Sequence, residues 1–207
     1  MYGAIREYRV QPGTADEVIA KIRAEFVPMI ANVRGLVAYT VAITAGDGII
    51  TTSIFENQAG AQESVKRAAG WVQDTLKTLT LGATRVTVGD ITVRHVKEEV
   101  KAGCGVMRRF ACTSANAVQI SLRVRKSLVP ILDATPGFAS FGLLIQSGPD
   151  RGGASLSGYA DRATAETANA KSLAWIKQNV GDLLTKPPEV VVGEIKLRFT
   201  RSTVSAL

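Results

Sequence analysis

Histidine is nearly absent from this sequence and cysteine is scarce, with one His and two Cys in 207 residues. His95 is the sole imidazole and no close cysteine pair accompanies it, so the ligand sets of structural zinc sites cannot be assembled and no metal is expected. Cys104 and Cys112 lie eight apart in one extended segment. At about 3.3 Å per residue that separates them by roughly 26 Å, beyond disulfide reach. They read as small buried hydrophobes. No apolar stretch approaches the ~18 residues of a spanning helix, and the opening MYGAIREYRV lacks the apolar centre of a secretory signal. A cytoplasmic protein without a membrane partner is the expectation. Catalytic signatures are missing as well: there is no Ser-His-Asp arrangement, Walker loop or GxGxxG element. The stretch Gly148–Gly153 contains Gly-Pro and Gly-Gly, but as a hairpin insertion it lacks the strand–loop–helix context of a phosphate cradle.

What is present is an ordinary globular composition, 46% hydrophobic and 21% charged, which excludes disordered and fibrous chains. The sequence also repeats itself. GAIREY at 3–8 returns as GVMRRF at 105–110, and FVPMIANVRG at 26–35 as LVPILDATPG at 128–137, a shift of 102. Downstream the shift is 104: Phe55 meets Tyr159, Trp71 meets Trp175, and VTVGDITVR at 86–94 meets VVVGEIKLR at 190–198. The two extra residues fall within 147–153, opposite Ala45–Gly48, where an exposed hairpin tolerates them. Two homologous units follow, 1–96 and 104–201, joined by the charged linker 97–103.

Each unit reads β-α-β-β-α-β. An alternating strand over 2–10 precedes a helix carrying Val18, Ile22, Phe26, Met29 and Val33 at helical spacing, with Thr14 and Glu17 as a capping box and Asn116 and Gln119 in the corresponding places. Pro28 and Pro130 fall inside these helices, where each costs a hydrogen bond and bends the helix. Strands near 36–45 and 49–56 meet at Ala-Gly-Asp-Gly. A second helix runs from about Gln58 to Leu79, capped by Asn57 (Asp161 in the repeat), and a strand at 85–95 closes the unit. In that strand Gly89, Ile91 and Val93 make an apolar face and Asp90, Thr92 and Arg94 a polar one. The order is a split βαβ arrangement, an α+β fold of two ferredoxin-like units, each with a four-stranded antiparallel sheet and both helices on one face. A linked second copy is positioned to cover the open face, so the two sheets are expected to face each other.

The charge is uneven. Residues 1–102 carry 12 basic against 11 acidic residues, and 103–207 carry 13 against 7, which together give +7. A basic second half could draw in an acidic partner, yet no basic run interleaved with aromatics is present. A solvated basic face is expected, with a small-molecule partner and no nucleic acid.

The opening GAIREY/GVMRRF with a kinked helix ending at Arg34-Gly35 or Pro136-Gly137, the FENxAGA helix start at 55–61, and the helical tryptophan in AAGWV and LAWIK together resemble the antibiotic-biosynthesis monooxygenase (ABM) family of dimeric α+β barrel proteins, here fused in tandem. The resemblance implies an intramolecular α+β barrel in one monomeric chain, with further association left open. It implies oxidation of a small electron-rich aromatic without metal, flavin or other cofactor, in a pocket between the sheet and helices of each unit. Trp71 and Trp175 match the family's tryptophan on the second helix. The asparagine four residues before it and tyrosine six after, found in polyketide oxygenases, are here Arg67 and Lys77, then Lys171 and Gly181. The haem-degrading branch has a first-strand asparagine and a histidine ten residues after the tryptophan; Arg6 and Arg108, and Leu81 and Thr185, stand in those places.

The candidate catalytic groups are therefore Trp71, Trp175, Arg6 and Arg108. Each tryptophan is either a stacking wall whose indole N–H meets a bound phenolate or a core aromatic. Each arginine either holds an anionic ligand or pairs with the recurring acid of the closing strand, Asp90 or Glu194. Tyr8, Tyr39, Phe110, Phe141 and His95 complete the candidate substrate-binding set. His95, matched by Phe199, is packed near a strand end or serves the first unit as a base. An oxygenase, a non-catalytic small-molecule binder and a purely structural duplicate are the three functions this pattern admits.

Overall fold

The computed structural model describes residues 1–146 and 152–201. Residues 147–151 of the expected insertion therefore lie outside the described residues. In the first repeat, β1 (Tyr2–Val10) leads into α1 (Ala15–Lys21), a π-helical turn (Ile22–Phe26) and α2 (Val27–Ala31), followed by β2 (Leu36–Thr44), β3 (Gly48–Phe55), α3 (Gln58–Thr75) and β4 (Thr80–Val96). The second repeat gives β5 (Cys104–Ala111), α4 (Ser114–Arg123), a π-helical turn (Val124–Leu128), α5 (Val129–Asp133), β6 (Phe138–Gln146), β7 (Gly152–Tyr159), α6 (Arg162–Asn179) and β8 (Glu189–Thr200). The α+β class and the element order are those the sequence implies.

Local chemistry accounts for most boundaries. Asn57 and Asp161 cap α3 and α6 by accepting from the Gly60 and Thr164 amides at 2.9 and 2.8 Å. The other two caps differ from expectation. Thr14 turns its hydroxyl back to the Gln11 carbonyl and leaves its helix without a side-chain cap. The repeat is capped by Thr113, which accepts from the Asn116 amide, while Asn116 itself donates to the Leu183 carbonyl. Pro28 and Pro130 have no N–H, and the ring of each crowds the carbonyl four residues back. The chain widens by one residue just upstream, so the Val27 amide reaches the Ile22 carbonyl and the Val129 amide the Val124 carbonyl. Helix α3 ends at Thr75 rather than near Leu79: Thr80 closes the helix by bonding the Leu76 carbonyl through both its amide and its hydroxyl. The β-branched threonines 75, 78 and 80 favour leaving the helix there.

By compactness the chain divides into two units that are not the two repeats. One comprises Met1–Val88 and the chain from Ile195 onward; the other comprises Gly89–Glu194. The division runs through the middle of both closing strands. In the first unit β1 pairs antiparallel with β3 and β3 with β2, placing Arg6 opposite Thr51 and Tyr39 opposite Ser53. In the second unit the order is β8-β5-β7-β6-β4, through the 189–194 half of β8 and the 89–96 half of β4. Each apolar core reflects the same exchange. Val93, from the first repeat, is buried in the second unit among Val106, Phe138 and Leu143, and Leu197 and Phe199, from the second repeat, pack on the core of the first. A fully buried Val contributes about 1.5–3 kcal/mol, so each closing strand stabilises the unit its far half enters.

Candidate functional site

The helix that follows each hairpin lies close against its sheet because its inner face is small: Gly60, Ala61, Ser64 and Ala68 on α3, and Ala165, Ala168 and Ser172 on α6. A Cβ at Gly60 would stand 2.7 Å from the Phe55 ring and 2.8 Å from the Arg34 carbonyl. The close approach seals the arginine of each first strand beneath the helix, and both Arg6 and Arg108 are only 1% exposed.

In the first unit Arg6 Nη1 donates to Ser53 Oγ at 3.1 Å and Nη2 to Ser64 Oγ at 2.6 Å, while Nε has no partner. Burial pulls the Arg6 pKa below its ordinary value, and the nearby Tyr8 and Tyr39 oppose that shift. The group remains a cation at neutral pH. Burial likewise pushes the Tyr8 and Tyr39 hydroxyls above their ordinary range, so both are neutral donors. Beside them lies a cavity of about 10 Å³, the room of one water, touching Tyr8, Tyr39, Thr51, Phe26 and Trp71. The aromatics are packed in series, Trp71 against Phe26 at 5.3 Å and Phe26 against Tyr39 at 5.6 Å.

The second unit treats the same scaffold differently. Arg108 Nη1 donates to Ser157 Oγ at 3.0 Å and Nε to Asn169 Oδ1 at 2.8 Å. Here Nη2 is the nitrogen without a partner, as is the buried Tyr159 hydroxyl. Burial lowers the Arg108 pKa, and Tyr159 stands near enough to offset part of the shift, although the two atoms miss hydrogen-bonding geometry. The cavity is about 30 Å³ and touches Arg108, Phe110, Phe141, Ser155, Leu128 and Trp175. The repeat alignment explains the larger space. Phe26, Tyr8, Tyr39 and Thr51 of the first unit become Leu128, Phe110, Phe141 and Ser155, each smaller or stripped of a hydroxyl or methyl.

These placements correct two expectations. Neither arginine meets the acid of a closing strand: Asp90 and Glu194 are exposed, and Arg6 and Arg108 bond to hydroxyls and an amide oxygen instead. The pairing register sets Val190 opposite Arg108 and Glu194 opposite Cys104, four residues along the strand, while Asp90 lies opposite Ile145 in the other compact unit from Arg6. His95 does not join the first unit's cavity. It falls beyond the Val88/Gly89 division, where it hydrogen-bonds Asp133 at 2.6 Å, stacks on Phe138 and touches neither cavity. The indole N–H groups are also engaged, Trp71 with Glu25 at 3.0 Å and Trp175 with Ser127 at 3.2 Å. Both partners lie in the π-helical turns, so the proline-induced widening aims them at the tryptophans.

Of the nine candidate residues, the second unit gathers Arg108, Phe110, Phe141 and Trp175 on one cavity, and the first gathers Tyr8, Tyr39 and Trp71 on another with Arg6 beside it. Ser53, Ser157 and Asn169 were missed. Ser53 and Ser157 carried a signal, being the same polar residue at matching positions of both middle strands. Neither cavity has a histidine among its lining, so these residues offer no imidazole to a haem iron. Among the described residues no group of His, Cys, Asp and Glu could hold a metal ion.

No family model and no curated protein sequence matches the chain. Solved structures do match it. A candidate monooxygenase from Fusobacterium nucleatum aligns with a TM-score of 0.75 at 10% identity, over 97% of this chain and 94% of that one. An anthrone oxidase-like protein aligns with a TM-score of 0.69 at 11% identity, over 96% and 92%. A ferredoxin-fold protein related to antibiotic biosynthesis monooxygenases, from Listeria monocytogenes, gives 0.55 at 9% identity, over 94% and 96%. The chain thus has an ABM-like fold, shared along nearly its whole length with proteins of similar size. Among the described residues no helix is long and apolar enough to cross a membrane.

Proposed function

We propose that this chain is an ABM-like monooxygenase that oxidises a small, electron-rich hydroxylated aromatic without metal or flavin. The observation that carries the reading is Arg108, a buried cation with no carboxylate partner among the described residues, on an apolar cavity walled by Trp175, Phe110 and Phe141. A cation in such surroundings favours the anionic form of a phenol or enol, because a low-dielectric site strengthens their attraction. The activated carbon of that anion then forms a bond to O2, giving a hydroperoxide. Loss of water from the hydroperoxide leaves a carbonyl, so that a methylene substrate RH2 and O2 become R=O and H2O with no further reductant. Trp175 supplies a stacking face, its N–H being committed to Ser127. Neither cavity has a carboxylate or imidazole in its lining, so the proton leaves by the substrate's own ionisation, aided by Arg108.

That missing base supports a second reading, a small-molecule binder without turnover. In both readings the partner is a small molecule and not nucleic acid, the sites lie within one tandem chain, and the buried cysteines Cys104 and Cys112, neither in a disulfide, suit the cytoplasm. Oxygen uptake with anthrone and with hydroquinones separates the two. The oxygenase reading expects uptake that rises with pH toward the substrate's own pKa and falls at least tenfold in Arg108→Met. No uptake above buffer across the panel refutes it and leaves the binder.

A further inference from the structure

Four features of the molecule distinguish its two repeats at matched positions, and all four act around the buried arginine. The first repeat has Ser64 where the second has Ala168, so the Nη2 tip of Arg6 is occupied by a hydroxyl and that of Arg108 is not. The first has Val65 where the second has Asn169, so the unpartnered nitrogen is the inner Nε in one case and the outer Nη2 in the other. The first has Phe55 where the second has Tyr159, which places an additional unpartnered hydroxyl near Arg108. Finally, Tyr8, Phe26 and Tyr39 fill the space that Phe110, Leu128 and Phe141 leave open.

Leaving a buried cationic donor and a buried hydroxyl without partners costs about 1–3 kcal/mol each unless something binds them. Each arginine makes two such bonds and leaves one nitrogen over, Nε of Arg6 in the first unit and Nη2 of Arg108 in the second. The second unit alone adds a buried hydroxyl without a partner, Tyr159, and sets its arginine on the lining of a cavity, which widens from about 30 Å³ to admit an aromatic. We propose that the two repeats have divided their roles: the second unit alone takes ligand, an aromatic bearing an anionic or ionisable oxygen that Arg108 holds, while the first unit is a self-filled copy kept for stability. The inference rests on the reading of the protein as a handler of hydroxylated aromatics, and it assigns that role to one of two apparently equivalent pockets.

The protein's two tryptophans lie one on each cavity, which makes the test direct. In 15N spectra the two indole signals are assigned with Trp71→Phe and Trp175→Phe, and 1-naphthol is titrated into the whole chain at pH 8. The expected result is movement of the Trp175 signal alone, saturating at one naphthol per chain. Movement of both signals, or of Trp71 alone, overturns the division of roles while leaving the aromatic-handling reading intact. Movement of neither, together with no oxygen uptake from anthrone, overturns both. Ala168→Ser then copies the first repeat's hydroxyl beside Arg108. The variant is expected to weaken 1-naphthol about tenfold, since the arginine tip is satisfied internally. Unchanged affinity in a variant that keeps the wild-type unfolding midpoint refutes Arg108 as the anchor. Should that variant not fold, Phe110→Tyr places in the cavity the hydroxyl that Tyr8 provides in the first unit, and the same loss is expected.

Discussion

The Ser64→Ala substitution probes the buried arginine of the first unit most directly. Ser64 is fully buried, accepts from Arg6 Nη2 at 2.6 Å, and donates its own hydroxyl hydrogen bond to the Ala61 carbonyl at 2.7 Å. Removing the hydroxyl deletes a charge-assisted hydrogen bond worth about 1.5–3 kcal/mol and leaves Nη2 without a partner beside an Nε that already has none. The volume lost is a single oxygen, so the cavity contribution is small and the expected destabilisation is about 2 kcal/mol. For a chain of this size that corresponds to about 4–8 °C in the unfolding midpoint. Urea unfolding followed by tryptophan fluorescence measures it. A second arm isolates the cause. Arg6→Met replaces the cation with an apolar chain of similar length that needs no partner, and in that background Ser64→Ala should cost less than about 0.5 kcal/mol. If the serine costs the same with and without Arg6, the loss belongs to the Ala61 bond, and the account of a cation held by hydroxyls is wrong.

Gly89 sits where β4 passes from one compact unit to the other, and a Cβ there would collide with the Ile145 carbonyl of β6. Since backbone must move to admit it, Gly89→Ala is expected to lower stability by at least about 2 kcal/mol in urea unfolding; a neutral effect would show that the strand pairing is looser than described. The pH dependence follows from Tyr8 and Tyr39, whose folded-state pKa values are raised above the ordinary tyrosine value of about 10. The unfolded chain ionises first, so their contribution is complete below about pH 10 and is lost as pH rises beyond it. Stability measured from pH 8 to 11 should therefore fall steeply in the wild type, and less in Tyr8→Phe/Tyr39→Phe. Equal slopes would contradict the burial of these hydroxyls.

How much of this was legible in the sequence depended on how far apart the cooperating residues lie. The Asn57 and Asp161 caps each bond an amide three residues on, and both were read correctly. The capping box at Thr14 was a local pattern as well, but it lost to a competing local acceptor, the Gln11 carbonyl. The arginines were picked out by strand parity, yet their partners were misassigned. A cross-strand acid was the economical guess for a recurring Arg and a recurring Asp or Glu, and it failed because the register places Glu194 opposite Cys104, four residues from Arg108, and Asp90 opposite Ile145 in the other compact unit from Arg6. His95 was misplaced for a related reason, since membership of a repeat was equated with membership of a compact unit.

Self-comparison of the chain was enough to establish a duplicated β-α-β-β-α-β order, the kinks at Pro28 and Pro130, and an arginine and a tryptophan at equal places in both halves, because periodicity, capping and proline stereochemistry act over a few residues. Which atoms neutralise those arginines was decided only in three dimensions, by serines and an asparagine 47 to 61 positions away. So were the passage of β4 and β8 from one compact unit into the other and the threefold difference between the two cavities, about 10 against 30 Å³. Each of these depends on how distant side chains fill a shared volume, and volume is a property that no local stretch of sequence possesses.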